Sequence, residues 1–251
     1  MPSKKSSAPR RDDAARLFSR PLTHADDMSS GFVQGLHSLA LGKERHVLIY
    51  VPANYDGVHP APLALMLHGA GSSAERGIDY LQSLADEFSL FLVAPKSRDV
   101  TWDVIMGSYG ADVEFIDAVL GHVFEHYSVD ASHLALGGFS DGASYALSLG
   151  ITNGDLFTHL LAFSPGFMVP TAQHGGPQSP RVFISHGTDD RVLPIEICSR
   201  KIVPQLQKAD YDVTYCEFDG PHTLPTEIAH NALSWFLTPA ESDSCRKRPE
   251  S

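Results

Sequence analysis

Short runs of hydrophobic residues, each bounded by turn-forming residues, recur along the chain. In "RHVLIYVPANYDG", hydrophobic and polar positions alternate until Pro, Asn, Asp and Gly interrupt them, which is typical of a half-buried strand that ends in a turn. "LALMLHG" is a continuous hydrophobic run between Pro62 and Gly69, as expected for a strand covered on both faces. Similar runs predict further strands at "LFLVAP", "HLALGGFS", "LLAFSP", "VFISHG" and "DVTYCEFDG".

Segments with helical spacing separate these predicted strands. One hydrophobic stripe runs from Ile78 to Phe88, and a longer one runs from Val113 to Tyr127. Helices are also predicted at "GASYALSLGI", "IEICSRKIVPQLQKA" and "TEIAHNALSWFL". Strands that alternate with helices favour an α/β fold with a mostly parallel sheet and helices on both faces. Ligands of such sheets bind beyond the carboxyl ends of the strands, so residues that follow strands are the candidate site residues.

The two ends of the chain differ from the alternating segments between them. We assign residues 1–30 and 240–251 to flexible tails and residues 31–239 to one domain, because both ends are polar and lack hydrophobic periodicity. The first of them also lacks the apolar centre of a secretory signal. An organellar transit peptide is the alternative, but four aspartates count against it because such peptides are poor in acids.

Composition narrows the classes of function. A chain of 251 residues with 43% hydrophobic content can bury one sizeable core. Its 30 acidic and 19 basic residues give a net charge of -11, which argues against nucleic acid and anionic membranes as partners. Cys198, Cys216 and Cys245 form neither a disulfide framework nor a metal motif, so we expect a reducing, cytoplasmic environment. No apolar run approaches the roughly 18 residues of a membrane span.

Three glycines surround one serine in "LALGGFSDGAS". Ser140 ends a predicted strand and precedes a predicted helix, with Gly138 and Gly142 two positions away on either side. A serine in so tight a strand-to-helix turn exposes its hydroxyl above the sheet, and its neighbours must be small to avoid collision. This is the G-x-S-x-G nucleophile elbow, and it predicts that Ser140 is a nucleophile.

A serine hydroxyl is a poor nucleophile at neutral pH and needs a base that a third group orients. In this type of site the acid and then the histidine follow the serine along the chain. "ISHGTDDRVLP" ends a later strand with Asp189 and Asp190, and "EFDGPHTLP" ends the next with His222. The residues themselves leave the choice between the two aspartates open.

The ordered motifs "LMLHGAG", "GGFSDGAS", "SHGTDDRVLP" and "FDGPHTLP" resemble the phospholipase/carboxylesterase family of the α/β-hydrolase superfamily, compact serine esterases without a large cap domain. The resemblance extends over about residues 44–237. It implies that the acid is Asp190, with Asp189 as a turn-former, and that the histidine is His222. Pro221 departs from the glycine more usual in that loop.

The oxyanion formed by attack on a carbonyl needs fixed hydrogen-bond donors. The residue after the nucleophile supplies one backbone N–H, which here is Asp141, and an earlier strand-end loop supplies the other. "LHGAG" is that loop, and the family resemblance points to the backbone N–H of Ala70. The Asp141 side chain could contact substrate, but capping the following helix is the favoured role.

Two long strand-end loops, "SRDVTWDVIMGSYG" and "SPGFMVPTAQHGGPQSP", are the candidates for substrate binding. Their larger hydrophobic residues could line an acyl or alcohol pocket, or simply pack under the loops. Trp102 is the first choice for a pocket residue. The full set of candidate substrate-binding residues is Trp102, Ile105, Met106, Tyr109, Phe167 and Met168.

These features favour a serine hydrolase that cleaves short or water-soluble carboxylic esters through an acyl-enzyme. A peptidase or acyltransferase on the same fold, and a non-catalytic binding protein, are the alternatives. We expect no cofactor and no metal, because "HGAGSS" lacks the Gly-Lys-Ser/Thr of a phosphate-binding loop and the histidines lack metal-ligand spacing. The expected partner is a small-molecule ester, and no feature of the sequence indicates an oligomeric state.

Overall fold

The computed structural model of the protein describes residues 13–22, 32–39, 41, 46–169, 175–176 and 178–238. Within these residues, eight strands form one sheet. The strands are β1 (Gly35–Ser38), β2 (Val47–Val51), β3 (Ala61–Leu67), β4 (Phe91–Pro95), β5 (Val129–Phe139), β6 (His159–Phe163), β7 (Arg181–Gly187) and β8 (Val213–Phe218). The strands expected from the sequence correspond to β2 through β8, and β1 is an addition.

The described residues include five α-helices: α1 (Ala74–Asp79), α2 (Ala111–His126), α3 (Asp141–Thr152), α4 (Ser199–Lys208) and α5 (Thr226–Leu237). The helix expected over Ile78–Phe88 is different, because α1 ends at Asp79 and a short 3₁₀ turn, Gln82–Leu84, follows it. Between them Leu81 has φ -130 and ψ -5, which breaks the α-helical conformation. The hydrophobic spacing therefore indicates which side of this segment faces the sheet, but it does not indicate one continuous helix.

The sheet is mostly parallel, as predicted. Its strand order is β1-β2-β4-β3-β5-β6-β7-β8. β2 pairs antiparallel with both β1 and β4, whereas every pair from β4 to β8 is parallel. The carboxyl ends of β3, β5, β7 and β8 consequently meet at one edge of the sheet.

Hydrophobic cores cover both faces of the sheet. On β3, Leu63, Leu65 and Leu67 face the core that contains α2, α3 and α4. Ala64 and Met66 face the opposite core, to which α1 and α5 contribute. This alternation between two buried faces explains why β3 reads as an unbroken hydrophobic run.

Residues 13–22, which the sequence analysis assigned to a flexible tail, are packed against the domain, and we call them the N-terminal strap. The side chains of Ala15 and Leu17 are fully buried. Asn153 accepts a hydrogen bond from the Leu17 N–H and donates one to the Ala15 carbonyl, both at 2.8 Å. Asp117 on α2 accepts two further backbone N–H groups of the strap at 2.7 and 2.8 Å. The tail assignment is thus corrected for this segment.

The other residues assigned to the tails, 1–12, 23–30 and 240–251, lie outside the described part of the chain. So does Cys245, while Cys198 and Cys216 are free thiols. Of the helices described, none combines the length and the apolar character that crossing a bilayer requires.

Candidate active site

Ser140 occupies the sharp turn between β5 and α3. Its φ of 58 and ψ of -121 put a non-glycine residue in a region that costs on the order of 1–3 kcal/mol. The turn is held on both sides, because the Ser140 N–H donates to the Phe163 carbonyl at 2.9 Å and the Ser140 carbonyl accepts the Ser144 N–H at 3.0 Å. The strained backbone presents the hydroxyl at the carboxyl edge of the sheet.

The glycines beside Ser140 are required by close backbone contacts. A Cβ on Gly138 would lie 2.5 Å from the carbonyl carbon of Gly142 and 2.8 Å from the Leu67 oxygen. A Cβ on Gly142 would lie 2.6 Å from the His68 oxygen. Since real Cβ atoms do not approach backbone this closely, neither position accepts a side chain without displacing the turn.

The three residues proposed as a triad form one hydrogen-bonded chain. His222, after β8, places Nε2 2.9 Å from Ser140 Oγ. Its Nδ1 lies 2.5 Å from Oδ2 of Asp190, which follows β7. Asp189 is exposed, and its backbone N–H donates to Gly220. The geometry therefore joins Asp190, and not Asp189, to the histidine.

The Asp190 carboxylate is buried and fully hydrogen-bonded. Oδ1 accepts the Val192 and Leu193 N–H groups, each at 2.8 Å. Burial alone would raise the pKa of Asp190, but these donors and His222 outweigh it, so the pKa lies below its usual value. The group is thus ionised at neutral pH and can orient a histidine and stabilise its charged form.

A second histidine, His186, contacts the same carboxylate. Its Nε2 lies 2.8 Å from the Leu193 carbonyl and 3.2 Å from Asp190 Oδ2, and its Nδ1 lies 2.6 Å from Ser199 Oγ. Burial lowers the pKa of His186, which favours the neutral ring. Because a carbonyl only accepts, Nε2 carries the proton and Nδ1 accepts from the serine. These contacts of His186 brace the loop that carries Asp190.

The two backbone N–H groups proposed as oxyanion donors are both free in the described part of the chain. Asp141 is the first residue of α3, where the N–H has no intrahelical partner. Ala70 follows β3, and a Cβ on the preceding Gly69 would lie 3.3 Å from the Ser140 Cβ. Both groups therefore belong to backbone that borders the serine.

The direction of the Ala70 N–H is fixed by His68. Burial lowers the pKa of His68 to about 4, so its ring is neutral near pH 7. Nε2 accepts the Ser97 N–H at 3.1 Å, and Nδ1 donates to the Gly69 carbonyl at 2.7 Å. In a planar trans peptide the carbonyl and the next N–H point in opposite directions. Holding the Gly69 carbonyl on the buried side thus turns the Ala70 N–H away from it.

The Asp141 side chain does not have the role favoured for it, which was to cap α3. Thr101 Oγ1 donates to Asp141 Oδ2 at 2.8 Å. The N-terminus of α3 has no side-chain cap, so the expectation of a helix cap is wrong. The contact instead ties the start of α3 to the loop after β4.

A cavity of about 440 Å³ opens beside Ser140. Its wall includes the aromatic rings of Tyr80 and Phe139, and Phe139 lies 4.6 Å from the His222 ring. The other lining residues are Gly69, Ala70, Ser72, Arg76, Asp79, Ser83, Leu84, Val192, Thr223, Leu224, Thr226 and Ala229. A small ester placed here would have its carbonyl near the nucleophile.

Trp102, the first choice for a substrate residue, is not in this wall. Its side chain is fully buried, and Nε1 donates to the His68 carbonyl at 2.8 Å. Its ring packs against those of His68 and Tyr145, with centroids 4.9 and 5.3 Å apart. The structure corrects the prediction, because an indole without exposed surface supports the loop before Ala70 and cannot contact a substrate.

The other five predicted substrate residues also lie away from the cavity. Ile105, Tyr109 and Met168 are partly buried against the core. Met106 and Phe167 are 71% and 36% exposed. They occupy strand-end loops as expected, but the wall beside Ser140 is built by other residues.

Arg76, Asp79, Tyr80 and Phe139 are among the wall residues that the sequence did not indicate. Three of them belong to α1 or directly follow it, and α1 begins after the loop that contains Ala70. The position of α1 at the carboxyl edge of β3 was the feature of the sequence that could have predicted these wall residues. Phe139 was visible in the elbow motif as its one bulky residue.

Two other kinds of site were considered among the described residues, a second cavity and a metal centre, and neither contains the groups found around Ser140. A cavity of about 600 Å³ adjoins the strap residue Arg16, Asp155 and Tyr211, and none of Ser140, Asp190 and His222 lines it. Within the described residues, no group of three or more His, Cys, Asp or Glu side chains could hold a metal ion. The candidate catalytic groups of the described residues therefore lie around Ser140.

The sheet order, the elbow after β5 and the position of the acid and histidine after β7 and β8 define an α/β-hydrolase fold. The model of the phospholipase/carboxylesterase family matches residues 88–233. The chain belongs to that family.

Curated relatives and solved structures are also similar to this chain, and the solved structures share its fold. The probable feruloyl esterase C of Aspergillus niger is 28% identical over 170 residues, which cover 64% of this chain and 60% of that protein. The chain thus spans less than two thirds of that relative. The structure of esterase PE8 matches with a TM-score of 0.60 and 23% identity, over 74% of this chain and 95% of that one. A ferulic acid esterase of Anaeromyces mucronatus, AmCE1/Fae1A, matches with a TM-score of 0.62 and 19% identity, over 89% and 97%.

Proposed function

We propose that the protein is a serine hydrolase that cleaves carboxylic esters through an acyl-enzyme. The observation that carries the proposal is the continuous hydrogen-bonded chain from Ser140 Oγ through the His222 ring to the Asp190 carboxylate, with distances of 2.9 and 2.5 Å. Membership of the phospholipase/carboxylesterase family supports it. Such a chain is what a serine needs in order to attack a carbonyl at neutral pH.

In the acylation step, Ser140 Oγ attacks the ester carbonyl while His222 Nε2 takes its proton. Asp190 keeps Nδ1 protonated and stabilises the imidazolium. The N–H groups of Ala70 and Asp141 receive the developing oxyanion, and removal of one such donor typically costs about 100–1000-fold in rate. The proton on Nε2 then passes to the leaving alcohol.

In the deacylation step, the same histidine activates water. His222 Nε2 removes a proton from the water, which attacks the carbonyl carbon of the acyl-enzyme. The second tetrahedral intermediate collapses, the Ser140 oxygen recovers the proton, and the carboxylic acid leaves. No group outside the described site is needed for these steps.

We infer that the substrates are small, short or water-soluble esters. Only residues 164–180 connect β6 to β7, and this span is too short to hold a large cap domain. Because curated relatives are named feruloyl esterases, esters of aromatic acids are suitable first substrates. The aromatic wall of Tyr80 and Phe139 supports that choice.

A cytoplasmic location is part of the proposal. The described cysteines, Cys198 and Cys216, are free thiols, and burial raises the pKa of each. Thiols of this kind persist in a reducing compartment. Imaging a tagged full-length chain would test the location.

The decisive experiment compares Ser140→Ala with a matched serine variant. Ser132→Ala is suitable because Ser132 lies near the opposite end of β5 and is exposed. We expect wild type and Ser132→Ala to hydrolyse p-nitrophenyl acetate and to bind a fluorophosphonate probe covalently. Ser140→Ala should lose the probe adduct and nearly all turnover with an unchanged circular dichroism spectrum. Retained turnover in Ser140→Ala would refute the assignment.

A further inference from the structure

In one wall of the cavity beside Ser140, a series of aromatic contacts leads from the His222 imidazole to the Arg76 guanidinium. The His222 ring lies 4.6 Å from Phe139, and Phe139 lies 5.4 Å from Tyr80. The Arg76 guanidinium carbon lies 5.5 Å from the Tyr80 ring centroid. All four residues line the cavity, and the contact between the Arg76 guanidinium and the Tyr80 ring holds a cation at the cavity wall.

The charge of Arg76 is not neutralised by an ion pair within the described residues. By contrast, Arg16, Arg181 and Arg200 each pair with a carboxylate at 3.0 Å or less. Among the described residues that line the cavity, Arg76 is the sole lysine or arginine. Its guanidinium therefore keeps hydrogen-bond donors available for a ligand, and a planar carboxylate is a partner that fits them.

We propose that Arg76 is a specificity-determining residue, and that the protein prefers esters that carry an aromatic ring followed by an anionic group. The ring would pack on Phe139 and Tyr80, and the anionic group would meet the guanidinium. This inference rests on the proposed ester hydrolysis and adds the charge of the substrate to it.

Asp79 provides a second test of the proposal, because it lines the same cavity and carries the opposite charge. Asp79 is exposed and, within the described residues, takes part in no ion pair. It therefore repels the anion that Arg76 attracts. Removal of the Arg76 charge should therefore lower the preference for anionic esters, and removal of the Asp79 charge should raise it. A general loss of activity cannot produce these opposite changes.

The test uses pairs of esters that differ only in charge. One pair is methyl 4-carboxycinnamate and methyl 4-carbamoylcinnamate, in which the varied group is on the acyl side. The other is 4-carboxybenzyl acetate and 4-carbamoylbenzyl acetate, in which it is on the alcohol side. For each pair, kcat/KM of the anionic ester is divided by kcat/KM of the neutral one, and this charge ratio is compared between variants. Intrinsic reactivity cancels in the comparison.

In at least one pair, we expect Arg76→Gln to lower the charge ratio roughly threefold to tenfold, the range of a partly exposed charge-assisted contact. Arg76→Lys should restore part of it, and Asp79→Asn should raise it by about twofold or more. Arg98→Gln is the matched control, because Arg98 is exposed on a loop at the same sheet edge but does not line the cavity. It should leave the ratio unchanged within about twofold, and added salt should weaken the Arg76 effect.

The results separate this inference from the proposed function. If the neutral esters are hydrolysed in a Ser140-dependent way but Arg76→Gln changes neither charge ratio, the inference is wrong and the hydrolase assignment stands. If Arg98→Gln has the same effect as Arg76→Gln, a general field and not the cavity wall sets the preference, which also overturns it. If none of the four esters nor p-nitrophenyl acetate is hydrolysed, the proposed function itself fails.

Discussion

The buried indole of Trp102 offers a direct test of how the loop before Ala70 is held. In Trp102→Phe the aromatic packing against His68 and Tyr145 is kept, while the 2.8 Å hydrogen bond from Nε1 to the His68 carbonyl is lost. That carbonyl lies in a fully buried residue. The change therefore leaves an acceptor unpaired next to the peptide that carries the Ala70 N–H.

The expected loss of stability follows from that unpaired carbonyl. An unsatisfied buried acceptor costs about 1–3 kcal/mol of unfolding free energy. For a domain of this size each kcal/mol lowers Tm by about 2–4 °C, so we expect Tm to fall by about 2–12 °C. If the loop shifts so that the Ala70 N–H is partly misaligned, kcat/KM should fall by roughly tenfold, a fraction of the 100–1000-fold value of a whole donor.

The assay combines thermal unfolding with kcat/KM on p-nitrophenyl acetate, butyrate and octanoate. We expect the same fractional loss on all three esters, because the indole has no exposed surface from which to contact an acyl chain. Trp235→Phe is the matched control, since the buried Trp235 Nε1 has no hydrogen-bond partner within the described residues. Its rates should not change.

Two outcomes would refute this reasoning. A loss that grows or shrinks with chain length would show that the indole contacts the acyl group, as the sequence analysis first suggested. Unchanged stability together with unchanged rates would show that the hydrogen bond does not hold the loop.

Two further predictions follow from buried polar contacts elsewhere. Asn153→Ala removes the two hydrogen bonds between Asn153 and the strap and should lower the unfolding free energy by about 2–4 kcal/mol, measured by denaturant titration, with kcat unchanged. Asn54→Ala, at an exposed position, is the control. If both substitutions lowered the unfolding free energy equally, the docking of the strap through Asn153 would be contradicted. Asp190→Asn should lower kcat by about 10³–10⁴-fold, because an amide facing His222 Nδ1 favours the wrong tautomer. A loss below tenfold in single-turnover kinetics would contradict the orienting role.

The sequence predicted the strand-to-helix turn at Ser140 because the requirements of such a turn are local, whereas the choice of Asp190 as its acid came from the family resemblance. A tight turn needs glycine at 138 and 142 whatever the rest of the chain does, and the backbone contacts at both positions show why. The alternation of strands and helices predicted the parallel sheet. Once parallel strands share an edge, residues that end β5, β7 and β8 are brought together without further information.

The strap and the cavity wall could not be predicted in this way. Leu17 is buried and its N–H donates to Asn153, 136 positions away, but the short segment around it shows no periodicity that reveals this packing. Trp102 follows a strand at the correct edge, but loop sequence does not say whether a side chain turns toward the cavity or into the core. Tertiary packing, which the sequence pattern does not encode locally, decides both cases.

The strain at Ser140 connects the stability of the fold to its reactivity. The positive φ costs on the order of 1–3 kcal/mol, which is comparable to burying a single large hydrophobic side chain. Every residue of α3 from Gly142 to Thr152 is buried, and the burial of its several large hydrophobic side chains outweighs that cost. The helix cannot relax the turn without leaving the core. The exposed hydroxyl is therefore held in place by the fold before any substrate binds, and the glycines at 138 and 142 allow that packing to reach the turn.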